Sequence, residues 1–466
     1  MSLDLDQAAT LLHAERLAPQ KDGEITSVAI DSRRCAQGSL FVCLQGQQAD
    51  GHDFARQAVE QGASAILASR NPFEGEPPVP VLLVADPAAA LRSLAADFRD
   101  RYARLGGTVI GLTGTAGKTT TKEILSSVLS IAGTVSRTSG NFNNSLGLPL
   151  SMLNADPAAS WWVMELGISH PGDMDELASL LRPDMGLVLN AGAGHAEGLG
   201  ERGVAWHKAS LFRYLREDGT AIVSADYPDL LREASALRKE LVLFSCTGQD
   251  VPYQASYLGA DAGRGIYRLR LDNETLTVKT LFQGAFAAEN LLAAATAAHR
   301  LGLSCAAIGK GLENAVPPAQ RFARVQAGNW LVIDDSYNAN PLSMSKMLEA
   351  AAEAAAGRPL CCVLGAMYEL GGLAQKEHRN LGLLLAQLQP AELFWTGEYA
   401  DALEEGLHKG GYAGTLRRLT SPDAFCNTLA ETIPQGGVVL FKGSRSNHLE
   451  HYVTCFLDRA RHCDAV

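Results

Sequence analysis

Basic residues are scarce: 40 Lys and Arg stand against 51 Asp and Glu, a formal charge of −11. That balance excludes a protein that grips duplex nucleic acid or an anionic membrane through a broad cationic face, so any anionic ligand must be held locally. No run reaches the ~18 apolar residues of a membrane span. The opening MSLDLDQAATLLHAERLAP carries acids early and lacks the basic start and unbroken apolar core of a signal peptide. CxxC pairs are absent, and the nine cysteines, at 35, 43, 246, 305, 361, 362, 426, 455 and 463, fall mostly in apolar stretches. There a free thiol packs as a small hydrophobe, so reduced, metal-free thiols and a soluble cytoplasmic protein are expected.

What the chain has is length and alternation. Its 466 residues exceed what one hydrophobic core supports, which predicts three α/β domains. Residues 1–105 read as a small unit with SVAIDSRR, SLFVCLQG, an alanine-rich helix over 54–62 and a strand near ASAILAS, ending before Gly106-Gly107. Residues 106–318 alternate strands (TVIGLTG, SWWVMELG, DMGLVLNAG, GTAIVSAD, LVLFSC) with helices, the sign of a mostly parallel sheet. GIYRLRLDNETLTVK reads as an antiparallel hairpin added to that sheet. After Val316-Pro317-Pro318, residues 319–466 alternate again as a second doubly wound unit, with a helix predicted over 343–356.

The strongest local signal is GTAGKTTT at 114–121, where a strand gives way to a helix. Glycines let the backbone curl so that amides face a phosphate, and the helix amino end adds partial positive charge. Gly114, Thr115, Ala116, Gly117, Lys118, Thr119 and Thr120 are therefore candidate ATP ligands, Lys118 supplying a full charge and Thr119 a magnesium contact. The strict GxxxxGK[ST] pattern is not met, because Leu112 stands where its first glycine belongs.

MELGISHPGDM puts Glu165 after one apolar strand, and LNAGAGHAEGLG puts His195 after the next. Groups at the carboxyl ends of neighbouring parallel strands converge on the crevice where open α/β sheets bind ligands, and a hard cation bridging phosphates accepts such a carboxylate. A lone histidine between glycines is more often an ordinary loop residue; its placement after successive strands favours a site. Lys208, in VAWHKASLF, reads by itself as a lysine whose stem snorkels along apolar surface. Asn141, Asn143 and Asn144, in TSGNFNNSLGLP, read either as a ligand loop or as ordinary turns. DDSYNANPLSM places Asp335, Tyr337, Asn338 and Asn340 at one strand end, and KGSRSN places Lys442 and Arg445 at another. Cations there suit an anionic substrate or a developing phosphoryl charge, or simply remain solvated.

Taken in order, these strings resemble the Mur ligases of peptidoglycan synthesis. The resemblance runs nearly end to end through DSRRCAQGSLFVCLQGQQADGHDF, GTAGKTTT, SGNFNNSLGLP, MELG, GHAEGLG, DDSYNANPLSM, MYELG and KGSRSN. Within the family, the YNANP and DGH strings favour a member that adds a dipeptide. The resemblance implies a small N-terminal α/β domain (1–105) holding a uridine nucleotide and a central P-loop domain (106–318) binding ATP. It implies a Rossmann-like C-terminal domain (319–466) that closes over both and receives the amine. It sets Ser32 and Arg33 near UDP, and Asn141, Asn143 and Asn144 near the muramoyl-peptide and phosphates. Asn290 would meet adenine, Asp335 the ribose and Arg321 the nucleotide phosphates, with Tyr337, Asn338, Asn340, Lys442 and Arg445 on the substrate side.

The resemblance also makes Lys208 a carbamylated lysine, a carboxylate-like metal ligand beside Thr119, Glu165 and His195; Lys118, Lys208 and His195 are then the catalytic set. The implied cofactors are ATP and two Mg2+ ions. The implied partners are UDP-N-acetylmuramoyl-tripeptide and D-alanyl-D-alanine, joined through an acyl phosphate by a monomeric, cytoplasmic enzyme without nucleic acid or a membrane span. Two departures stand out: Ala366 occupies the place of a usual aspartate, and Phe286-Ala287 that of a His-Asn pair. The alternatives are an amide ligase adding a single amino acid, or glutamate to folate, and, from another class, a P-loop switch.

Overall fold

A computed structural model describes residues 3–18, 24–46, 49–192, 199–200, 202–425 and 436–463. It contains three larger sheets, one per predicted domain. In the first, Glu15–Leu17, Val81–Leu83, Ala63–Ala68, Ser39–Val42 and Ser27–Ala29 lie side by side, all parallel except the antiparallel edge Glu15–Leu17. The helix Pro87–Arg104 follows, started by Pro87 at its first position and by Asp86, whose carboxylate accepts from Ala88 N and Ala89 N.

Leu91, Leu94, Ala95, Phe98 and Tyr102 repeat along this helix at three- and four-residue spacing and are buried. They belong to a core that continues without a break from the first domain into the second, through Trp162, Leu177 and Leu181. Arg99, 2 % exposed, donates from Nε to Leu181 O (2.7 Å) and from Nη2 to Arg182 O (2.6 Å). Tyr102 stacks on Trp162 at 3.9 Å, and Asn154 of the second domain pairs with both backbone groups of Val28 (2.9 and 3.0 Å).

The central sheet has nine strands in the order Glu274–Thr280, Arg264–Leu271, Tyr253–Asp261, Val242–Ser245, Thr220–Ser224, Met185–Val188, Thr108–Thr113, Trp161–Glu165, Val135–Arg137. The predicted hairpin is there, extended by the unforeseen strand Tyr253–Asp261, which turns the sheet from parallel to antiparallel. From Thr108–Thr113 the chain runs out to the edge strand Val135–Arg137, returns to Trp161–Glu165, and then crosses to Met185–Val188 on the other side. That reversal opens a crevice at the carboxyl ends of these central strands.

The third sheet orders Ala323–Ala327, Trp330–Asp335, Val438–Lys442, Leu360–Gly365, Glu392–Thr396 and Leu416–Arg418, parallel except for its first strand. The helix Pro341–Ala355, predicted over 343–356, begins earlier because Asn340 and Ser343 cap it reciprocally. Six described cysteines are free thiols, as expected. Cys455 is disulfide-bonded, which overturns the expectation of reduced thiols throughout. Among the described residues no helix is long and apolar enough to cross a membrane.

Candidate active site

The P-loop leaves Thr108–Thr113 and enters the helix Lys118–Leu129. Gly117 makes the turn with φ +81, and a Cβ there would stand 2.2 Å from Asn290 Oδ1, so only glycine fits. Asn290 is further held by Thr121, whose hydroxyl donates to its Oδ1 (3.1 Å). Lys118 Nζ donates to Gly114 O at 2.9 Å; burial lowers its pKa, Glu165 works the other way, and Arg321 adds to the lowering.

Glu165, 1 % exposed at the end of its strand, accepts from Thr119 Oγ1 (3.0 Å) and from Asn143 Nδ2 (2.8 Å). The asparagine loop thus serves both readings left open by the sequence. Asn143 faces the carboxylate, while Asn144 Oδ1 accepts from Gly147 N (2.8 Å) and turns the chain into the helix Gly147–Leu153. Oxygens of Thr119 and Glu165, converging beside the phosphate-binding amides, fit a magnesium ion that completes its shell with water and phosphate.

A cavity of about 660 Å³ opens over this arrangement. One wall carries Thr115 to Thr120, Asn141, Asn143, Asn144, Glu165 and Asn290; the other carries Arg321, Asp335, Tyr337, Asn338, Asn340 and Lys442 from the third domain. Lys442 is 1 % exposed and ion-paired with Asp335 at 2.5 Å, also donating to Asn338 O at 3.0 Å. It therefore braces Asp335 instead of standing as a solvated cation. The Arg321 guanidinium lies 4.1 Å over the Tyr337 ring. Arg445 sits 5.7 Å from the same ring, outside the cavity wall.

Lys208 is 1 % exposed on the helix Gly203–Ala209, which excludes a snorkelling surface lysine. Burial depresses its pKa strongly, Lys118 adds to the depression, and Glu165 opposes it. It is not among the residues lining the cavity, though it feels the charges of both of those groups. His195 falls outside the described residues. Ser32 and Arg33 line a separate cavity of about 970 Å³ between the first and second domains. There Ser32 Oγ donates to Gln57 Oε1 (2.7 Å), and Arg33 pairs with Asp31, holding that carboxyl at about 2.

Three wall or support residues were not singled out from the sequence. Asn190 Oδ1 accepts from Ala116 N (2.9 Å), and Lys346 Nζ pairs with Glu289 at 2.6 Å. The signal for Glu289 was available: a carboxylate inside the apolar helix AAENLLAAATAA is rarely idle. Ala366 is fully buried, with its carbonyl taken by Asn447 Nδ2 (2.8 Å), and Phe286 meets Phe322 edge-on at 4.5 Å.

Three α/β domains, with a P-loop at the switch point of the middle one and a cavity walled by the third, define a nucleotide-using enzyme of ligase architecture. Family descriptions match in order: "Mur ligase family, catalytic domain" over residues 24–99, "Mur ligase middle domain" over 112–298, and "Mur ligase, glutamate ligase domain" over 320–445. The chain belongs to the Mur ligase family. It is 33 % identical to the UDP-N-acetylmuramoyl-tripeptide–D-alanyl-D-alanine ligase of Escherichia coli, covering 97 % of this chain and 98 % of that one. The like-named Bacillus subtilis enzyme is 32 % identical over 92 % of each chain. Among solved structures, MurF from Acinetobacter baumannii superposes with a TM-score of 0.86 at 30 % identity, over 98 % of this chain and 99 % of that one. MurF from Thermotoga maritima, solved with ADP, gives 0.81 at 28 % identity, over 94 % and 99 %.

Proposed function

We propose that this protein joins D-alanyl-D-alanine to UDP-N-acetylmuramoyl-tripeptide at the expense of ATP, giving the pentapeptide, ADP and phosphate for peptidoglycan synthesis. The observation that carries the reading is the Thr119–Glu165 pair, 3.0 Å apart beside Lys118, in a cavity with the third domain as its far wall. A switch ATPase has no need of that second wall or of the separate cavity at Ser32 and Arg33. UDP-linked precursors and ATP meet in the cytoplasm, which sets the compartment.

The reaction follows from what these groups can do. The tripeptide carboxylate attacks the γ-phosphorus of ATP, forming an acyl phosphate and releasing ADP. P-loop amides and the Lys118 ammonium take up charge on the transferring oxygens. Magnesium held by Thr119 and Glu165, with His195 and Lys208 in support, would neutralise further phosphate charge. Burial shifts Lys208 toward the neutral amine, the form that adds CO2, which supports carbamylation there. The amine of the dipeptide then attacks the acyl carbon, and the tetrahedral intermediate expels phosphate. Holding carboxylate, ATP and amine in one cleft contributes up to ~7–11 kcal/mol when aligned. Asn290 and Arg321 are assigned to the nucleotide, Ser32 and Arg33 to the uridine end, and the wall from Tyr337 to Asn340 to the incoming amine.

The test is phosphate release from ATP with UDP-muramoyl-tripeptide, comparing D-alanyl-D-alanine with single amino acids. Release stimulated by the dipeptide is expected; stimulation only by a single amino acid points to a sister ligase.

A further inference from the structure

The following rests on the ligase reading above. The helix Pro341–Ala355 of the third domain abuts the second domain with its first turns and touches the P-loop through its cap. Its cap residue Asn340 gives Nδ2 to the carbonyl of Thr115 (3.3 Å). Leu342 packs against Gly192 so closely that a Cβ on that glycine would stand 3.0 Å from it. One turn on, on the same face, Lys346 crosses to the second domain and donates to Glu289 Oε2 (2.6 Å) and to the Tyr227 hydroxyl (3.0 Å).

Glu289 Oε2 also accepts from Asn190 Nδ2 (3.3 Å). Asn190 in turn grips the P-loop on both faces of one residue, accepting from Ala116 N (2.9 Å) and donating to Ala116 O (3.1 Å). Its own carbonyl accepts from Thr115 N (3.2 Å). A continuous set of polar contacts thus runs from the third domain to the phosphate-binding backbone. The side chains of Lys346 and Glu289 are only 26 % and 9 % exposed. Burying such a pair costs desolvation that an apolar contact of equal volume avoids, so its use lies in fixing one register between the domains.

We propose that Lys346 and Glu289 are positioning residues of the ATP site. Seating of the third domain, relayed through Asn190, sets the Ala116 peptide and with it the amides that receive the nucleotide phosphates. ATP binding and docking of the third domain then reinforce each other, as linkage between two sites on one equilibrium demands.

The test is steady-state ligation by Lys346→Met, Lys346→Arg, Glu289→Met and Asn190→Ala, singly and in pairs, with thermal melting of each. Lys346→Met is expected to raise the KM for ATP and lower kcat, together by about tenfold. Lys346→Arg should recover most of that loss. Lys346→Met combined with Asn190→Ala should be little worse than the poorer single variant. Two results overturn the proposal: a lower melting temperature with unchanged KM and kcat, which makes the pair a mere brace, or effects of Lys346→Met and Asn190→Ala that multiply in full, which puts Lys346 directly on the nucleotide. Should Lys346→Met not fold, Lys346→Met/Glu289→Met leaves no charge uncompensated and is read against Asn190→Ala in the same way. If the wild-type protein does not ligate, the ligase reading fails instead. Titration of the variants with a fluorescent ATP analogue still decides the relay.

Discussion

The two seams that join the domains differ in kind. Between the first and second domains the core is continuous, a ring stack is buried, and Arg99 is consumed by backbone carbonyls. Between the second and third, the contacts include Asn340 on Thr115, Leu342 on Gly192, Lys346 on Glu289 and Tyr227, and Phe286 on Phe322, arranged around a cavity of about 660 Å³. A large apolar seam fixes two domains as one body, whereas a polar seam around a cavity leaves relative motion as the default. On the proposed reading the contrast says where reactants would enter: the uridine end would bind against a fixed floor, and the chemistry would occur where the walls can part.

Substitutions separate the two seams by size and by kind of effect. At the chemical centre, Lys118→Ala should cut ADP formation by ~10²–10³ in steady-state assays and leave the melting temperature nearly unchanged. At the fixed seam, Arg99→Ala strands the carbonyls of Leu181 and Arg182 and should cost ~2–4 kcal/mol in urea unfolding. It should raise the KM for the UDP substrate more than that for ATP; the reverse order breaks the comparison.

His378 offers a smaller, pH-dependent effect inside the third domain. Fully buried, its Nε2 accepts from Met367 N (3.0 Å), and burial lowers its pKa from 6.5, against a smaller opposing contribution from Ala374 O. Because the folded state binds this proton less readily, the contribution is complete above about pH 6.5 and is lost as pH falls below it, by at most ~1.4 kcal/mol per pH unit. Urea unfolding of His378→Gln between pH 7 and 5 should show a shallower acid slope than wild type; an unchanged slope refutes this. Smallest of all, Phe286→Ala removes a ring contact worth ~0.5–1.5 kcal/mol and should raise the KM for ATP about two- to tenfold, with no change for the UDP substrate.

Most of the fold was legible because strand and helix periods are strong over these segments, and the P-loop was legible because its glycines and lysine are adjacent in sequence. Glu165 and Thr119 could be paired in advance, since Glu165 ends one apolar strand and Thr119 opens the helix that follows its neighbour. What escaped were pairings made only by tertiary packing. Lys346 and Glu289 lie 57 positions apart on helices of different domains, and nothing local marks them as partners. Lys208 was misjudged from its own residues for a related reason: amphipathic spacing does not reveal that the neighbouring elements close over the amine. The strand Tyr253–Asp261 was missed because its alternation is broken by a bulge between Tyr257 and Gly259.

On the proposed reading, the substrate carboxylate is phosphorylated in the cleft under Lys118, Thr119 and Glu165 before the amide forms. The most direct measurement uses UDP-muramoyl-tripeptide labelled with 18O in its terminal carboxylate. With ATP and D-alanyl-D-alanine, one labelled oxygen should appear in the released phosphate for each pentapeptide formed. Pentapeptide formed with unlabelled phosphate would contradict the claim.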